Sequence, residues 1–157
     1  MNYFYFLAFF NLEIFPCFIR FKQIPKKIKN KIAKINGLEN CYNLKTLFLS
    51  NNNITQIEGL ENLTHLETLG LEGNNIRRIT GLNSLTKLKR LYLSNNKINR
   101  IEGLDNLVDL QLLNLGNNQI SKVEGIEHLR NLEVLDLTYN EFSEKPNLPY
   151  LPKLRFF

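Results

Sequence analysis

The chain has 157 residues, 43% of them hydrophobic, and a formal charge of +5. Its length and apolar content suit one domain with a sizeable core. The charge surplus is local: Arg20, Lys22, Lys26, Lys27, Lys29, Lys31 and Lys34 form a run without an acid, whereas from residue 38 onward 13 bases face 14 acids. That balance excludes a general phosphate-binding field over most of the chain.

Residues 1–20 form a hydrophobic N-terminal segment rich in phenylalanine, with an unbroken apolar run only from Tyr3 to Phe10. A membrane-spanning helix needs about 20 mostly apolar residues, so no span is expected. A basic start and small residues at a cleavage site, the marks of a secretory signal, are missing. Three readings stand: a segment that packs on the first coil of a downstream repeat array, an atypical signal or anchor, or a stretch that is not native. The first and third are preferred.

Residues 21–43 read as a basic, degenerate, cap-like first repeat. Asn30, Ile32, Ile35, Gly37 and Leu38 keep the register of the downstream repeats, but Pro25 and Lys27 stand where strand leucines belong. Cys41 shares a column with Leu63, Leu85, Leu107 and Leu129 and reads as a small core hydrophobe. No cysteine-rich caps flank the repeats, so an intracellular setting is expected, in cytoplasm or nucleus with a cilium as a further possibility. Asn53-Ile54-Thr55 and Asn62-Leu63-Thr64 match the glycosylation acceptor pattern. Chance matches are expected in a chain so rich in asparagine.

Residues 44–153 are built on a step of 22, from Leu44 to Leu66, Leu88, Leu110 and Leu132. The same step carries a glycine from Gly59 to Gly81, Gly103 and Gly125. A fixed period of this length marks a solenoid, whose units bury their apolar face only by stacking. Within one unit, Leu47 and Leu49 share one face of a strand and Phe48 takes the other. Strands stacked at about 4.8 Å make a parallel sheet along one side. Asn52 turns the chain out of the strand, and its amide can bond backbone groups of its own and the neighbouring coil. Asn52, Asn74, Asn96, Asn118 and Asn140 then form a structural ladder. Ile54, Ile57, Leu60 and Leu63 complete the core, and Gly59 supplies a backbone turn. Downstream the pattern decays: Lys145 occupies an isoleucine column and three prolines intervene. Residues 154–157 read as the truncated start of a further repeat, whose open sheet edge implies a fragment or a covering partner.

The pattern Leu-x-x-Leu-x-Leu-x-x-Asn-x-Ile-x-x-Ile-x-Gly-Leu-x-x-Leu resembles the leucine-rich repeat in its 22-residue class. Leu66 to Leu85 and Leu88 to Leu107 fit at every defined position. The resemblance implies an α/β leucine-rich-repeat solenoid. A curved parallel sheet would line its concave side, with short helical or 3-10 turns and loops on the convex side. It implies a non-catalytic protein–protein interaction scaffold. The repeats look most like those of the leucine-rich regulatory subunit of type 1 Ser/Thr protein phosphatase. Similar repeats occur in an axonemal dynein light chain and other ciliary proteins, and in a spliceosomal A-prime ribonucleoprotein component.

The outward strand positions form the candidate recognition wall. Its central column is Phe48, Gly70, Tyr92, Asn114 and Asp136; the column before it contains Arg90, Leu112 and Val134; the column after it contains Glu72, with Tyr139 beside it. Aromatic residues and arginine dominate interfaces, so Phe48, Tyr92 and Arg90 are the first candidates. Leu112, Val134 and Tyr139 are expected to form a second apolar patch. In kind and column, Phe48, Glu72, Tyr92 and Asp136 match the aromatic and acidic contacts that the phosphatase resemblance implies; Gly70 and Asn114 do not. The implied partner is a globular protein, with a phosphatase catalytic subunit as one candidate. Neither a small-molecule substrate nor direct nucleic-acid contact is expected. On one flank, Arg78, Arg100 and Lys122 form a column, with Glu58, Glu102 and Glu124 in another two positions on; these read as solvated ion pairs.

Nothing in the chain indicates catalysis. His65 and His128 stand apart, no His/Cys/carboxylate group has metal-ligand spacing, and neither G-x-x-x-x-G-K nor G-x-S-x-G occurs. No cofactor and no metal are expected, and the chain does not read as an enzyme.

Overall fold

A computed structural model describes residues 32–157. The segment 1–20, Cys17, Pro25, Lys27, Asn30 and most of the basic run lie outside the described residues, and so do the expectations placed on them. Within them the chain winds as a solenoid. Five three-residue strands, β1 (Thr46–Phe48), β2 (Thr68–Gly70), β3 (Arg90–Tyr92), β4 (Leu112–Asn114) and β5 (Val134–Asp136), form one parallel sheet in chain order. The register repeats the sequence period: Leu47 pairs with Leu69, Leu69 with Leu91, Leu91 with Leu113 and Leu113 with Leu135.

The alternation in each strand sets which side is core. Leu47 is 0% and Leu49 2% exposed, whereas Phe48 between them is 44% exposed. Ile54, Ile57, Leu60, Leu63 and Leu66 close the same coil and are all buried. Each such side chain contributes about 1.5–3 kcal/mol through burial. Because the residues repeat coil after coil, the core is one continuous column rather than a centre.

On the convex side the return path is made of turns. Leu63 N donates to Leu60 O at 2.9 Å and Leu66 N to Leu63 O at 2.9 Å, and the same pair recurs in the next three coils. These are successive bonds of the 3-10 kind, with no full helix among the described residues. Gly59, at φ +69°, begins this path, and a Cβ there would stand 2.7 Å from Ile35 O of the preceding coil. The column is glycine both for its left-handed backbone and for this close approach.

The asparagine ladder is formed. Asn96 Nδ2 donates to Leu93 O in its own coil and to Leu71 O in the coil before, each at 3.0 Å, while its Oδ1 accepts from Ile76 N at 3.0 Å. Asn74 and Asn118 repeat this geometry, and no buried side-chain polar atom lacks a partner among the described residues. The left-handed turn residue is not the ladder asparagine but the one before it: Asn51, Gly73, Asn95, Asn117 and Tyr139 have φ between +53° and +66°.

The ends of the period behave as the residues dictate. Ile35, Leu38 and Cys41 are buried in the first described coil. Cys41 is bonded rather than a free thiol, so the cysteines do not support the reducing compartment expected from the sequence. In the last coil Lys145 is exposed, and Phe142, Leu148, Leu151 and Leu154 pack against the core in place of the lost pattern. The sixth strand is reduced to a single parallel bridge, Val134 with Phe156.

Candidate recognition wall

The outward face of the sheet carries the predicted site residues, and its strands hold them in three ranks. Phe48, Gly70, Tyr92, Asn114 and Asp136 are neighbours along the central rank, as their pairing register requires. Phe48 leans over Gly70: a Cβ at Gly70 would collide with the Phe48 ring. Gly70 is therefore buried by the phenylalanine beside it, and the absent side chain gives the ring its seat. Sequence reasoning, which counted Gly70 as a mismatch to the aromatic rank, missed this role. Tyr92 is half-buried.

In the rank at the strand starts, Arg90 is exposed and lies 3.5 Å from Thr68 Oγ1 through Nη1, while Thr68 is 7% exposed. Leu112 and Val134 are register partners and half-buried, so they form a small apolar strip. Tyr139 does not join them. It follows β5, at the opposite end of the strands, and is 85% exposed. The expected three-residue patch is thus divided, because the chain crosses the whole width of the sheet between Val134 and Tyr139. In the rank at the strand ends, Glu72 is half-buried and its Oε2 accepts the Ser50 hydroxyl at 2.6 Å, bracing adjacent coils.

Tyr139 instead walls an open depression of about 480 Å³, whose lining includes Asn95, Asn114, Gly116, Asn117 and Asp136. Asp136 Oδ1 accepts from Thr138 N at 3.0 Å and from Thr138 Oγ1 at 2.7 Å. Asn114 Oδ1 accepts from Gly116 N at 3.0 Å, and Asn117 Nδ2 donates to Asn95 Oδ1 at 2.6 Å.

The edge and flank are laced with ion pairs between coils. Glu67 meets Lys89 at 2.9 Å and Lys45 at 3.7 Å. Hydrogen bonding from Lys89 holds its carboxyl below the usual range. On the flank the pairs do not form mainly within a coil: Arg78 reaches Glu102 at 2.8 Å and Arg100 reaches Glu124 at 2.7 Å, both in the next coil. Among the described residues of this column, only Lys122 pairs within its own coil, with Glu124 at 3.2 Å. Bonding to Arg78 lowers the Glu102 carboxyl, and bonding to Lys122 and Arg100 lowers that of Glu124. These pairs are solvent-exposed, so each adds little and salt weakens it.

The two histidines are structural. His128 Nε2 lies 3.0 Å from Leu104 O and His65 Nδ1 3.1 Å from Tyr42 O, each bridging to the preceding coil. Asn62, Asn106 and Asn131 play the same part on the convex side, donating to Glu39 O, Asn83 O and Val108 O. These asparagines lie in two columns, Asn62 and Asn106 with Ser84 and His128, and Asn131 with His65, Lys87 and Asp109, and this mixed composition hid them in the sequence. Among the described residues no group of three or more His, Cys, Asp or Glu is placed to hold a metal, and no helix is long and apolar enough to cross a membrane.

Coils of one length, a parallel sheet along one side and an asparagine ladder define a solenoid repeat protein. The leucine-rich-repeat region model matches residues 12–155, and the chain belongs to the leucine-rich-repeat family. No curated protein matches the chain by sequence. Among solved structures it is similar to the leucine-rich-repeat protein LIC12759 of Leptospira interrogans, at 26% identity and a TM-score of 0.66, over 76% of this chain and 32% of that one. It is similar to TLR13 in its complex with ssRNA13, at 27% identity and a TM-score of 0.66, over 76% of this chain and 18% of that one. It also shares the fold of the functional domain of InlJ from Listeria monocytogenes, which includes a cysteine ladder, at 23% identity and a TM-score of 0.59, over 69% and 23%. The chain thus spans less than a third of the length of each of these structures.

Proposed function

We propose that the sheet wall is the recognition surface of a non-catalytic scaffold that cups a globular protein. The observation that carries this reading is Phe48, at 44% exposure, lying over the bare backbone of Gly70 on the same face as exposed Arg90 and half-buried Tyr92. Large aromatic and arginine side chains held out on a rigid sheet are the groups that dominate protein interfaces. We further propose, from the repeat class and the aromatic and acidic residues in the matching columns, that the partner is a type 1 phosphatase catalytic subunit and that the chain regulates or targets it inside the cell.

RNA is the less favoured ligand. TLR13 is found in complex with one, but residues 32–157 here carry 14 bases and 14 acids. Single-strand binding draws on a positively charged groove. The test is affinity capture from the source cell with the full chain, followed by mass spectrometry. Capture of a phosphatase catalytic subunit, reduced by Phe48→Ala with Tyr92→Ala, supports the proposal. Recovery unchanged by the double variant removes the wall as the site, and capture lost on RNase treatment replaces the protein partner with RNA.

A further inference from the structure

The depression beside Tyr139 has a chemistry of its own. In four of five coils the left-handed turn position holds asparagine or glycine, the residues that tolerate it; in the fifth it holds Tyr139, at φ +55°. A bulky side chain held in that conformation against its preference points to use. The ring is 85% exposed, so burial does not explain it.

Asp136, three residues earlier in the same coil, lines the same depression. Its Oδ1 is taken up by Thr138, whereas its Oδ2 bonds to no described residue. That oxygen faces Gly116, where a Cβ would come within 3.0 Å of it, so the missing side chain leaves the carboxylate open from the neighbouring coil. Among the described residues, Asp136 is the only charged group lining the depression, and no base forms an ion pair with it. Asn117 and Asn95 satisfy each other with one bond and keep further amide groups turned to solvent.

We propose that this depression receives an arginine side chain of the protein partner, with its guanidinium on the Asp136 carboxylate and its flat face on the Tyr139 ring. An unpaired carboxylate beside an exposed aromatic face is complementary to a cation, and to guanidinium above ammonium, because only the planar fork can bond several acceptors while stacking. A phosphate-bearing ligand is disfavoured by the same carboxylate. At the strand starts Glu67 is tied to Lys45 and Lys89, whereas Asp136, at the end of β5, has no basic partner among the described residues. A partner presenting an arginine would therefore dock in one orientation across the sheet.

This rests on the proposed protein-binding role, but its test needs no partner. The full chain, labelled with nitrogen-15, is titrated with acetyl-Gly-Arg-Gly-amide and with its lysine and citrulline counterparts. Citrulline keeps the shape of arginine and lacks the charge. Saturable shifts at Gly116, Asp136 and Tyr139 with arginine, at least several-fold weaker with lysine and absent with citrulline, are expected. Asp136→Asn should abolish the saturable shifts. Tyr139→Asn, which restores the column's usual residue and so keeps the fold, should weaken them several-fold. Equal shifts with citrulline, unchanged titration of Asp136→Asn, or arginine shifts spread equally over Glu67 and Glu72 would each overturn the proposal. A chain that fails here yet still loses its partner on Phe48 and Tyr92 substitution keeps the recognition wall and loses only this subsite.

Discussion

The asparagine ladder makes a quantitative claim that Asn96→Ala can test. The substitution removes the 3.0 Å acceptor of Ile76 N, and that buried amide has no other bond among the described residues. It also removes the donors to Leu71 O and Leu93 O. Those carbonyls are not orphaned, because Asn74 Nδ2 still serves Leu71 O at 2.9 Å and Asn118 Nδ2 serves Leu93 O at 3.0 Å. The cost is therefore one stranded buried N–H, about 1–3 kcal/mol, plus the modest net worth of two lost bonds, for a total of about 2–4 kcal/mol. Asn140→Ala removes the same set of bonds where the residue is only half-buried, so water can replace them and the cost falls to about 1 kcal/mol. Urea unfolding followed by circular dichroism, with the slope held common, reads both. If Asn96→Ala costs no more than Asn140→Ala, the ladder is not what satisfies the turn, and the burial argument fails.

Other outcomes follow from the same geometry. Gly37→Ala should cost about 1–2 kcal/mol, since only its left-handed backbone at φ +75° resists a methyl group. Gly59→Ala should cost clearly more, because the methyl group also meets Ile35 O; urea midpoints of the two compare them directly. Tyr139→Asn should stabilise the chain by about 1 kcal/mol through relief of the strained backbone, seen as a raised Tm. Glu67, Glu102 and Glu124 have carboxyls lowered by their basic partners, so their contribution is complete above the ordinary carboxylate value and is lost as pH falls through the lowered ones. Stability should therefore decline in acid, and Glu102→Gln should reduce the slope of that decline at low salt more than at high salt.

The coil was legible because its cause is local. Leu47 and Leu49 flanking Phe48, repeated at a step of 22, dictate a strand with one buried face, and Gly59 marks the turn onto the convex side. What needed the structure was whatever depends on the neighbouring coil. Gly70 looked like a gap in the aromatic rank until Phe48 was seen lying on it. Arg78 and Glu102 are adjacent only because stacking brings the second coil beneath the first. Tyr139 shares composition with Leu112 and Val134 but faces the other rim, and periodicity alone does not say how wide the sheet is.

The constant offsets carry one more consequence. Bonds between coils span 20 residues at Ile76–Asn96, 23 at Asn83–Asn106, 24 at Arg78–Glu102 and 25 at Leu71–Asn96. None of these reaches beyond an adjoining turn of the winding. Excising or duplicating one whole period at the DNA level would rejoin the core leucines and the ladder asparagines to equivalent mates, whereas a frame-preserving change that is not a multiple of the period would misalign them. Lineages can thus lengthen or shorten such a molecule in fixed increments without redesigning its interior, leaving selection to act on the few side chains that face outward.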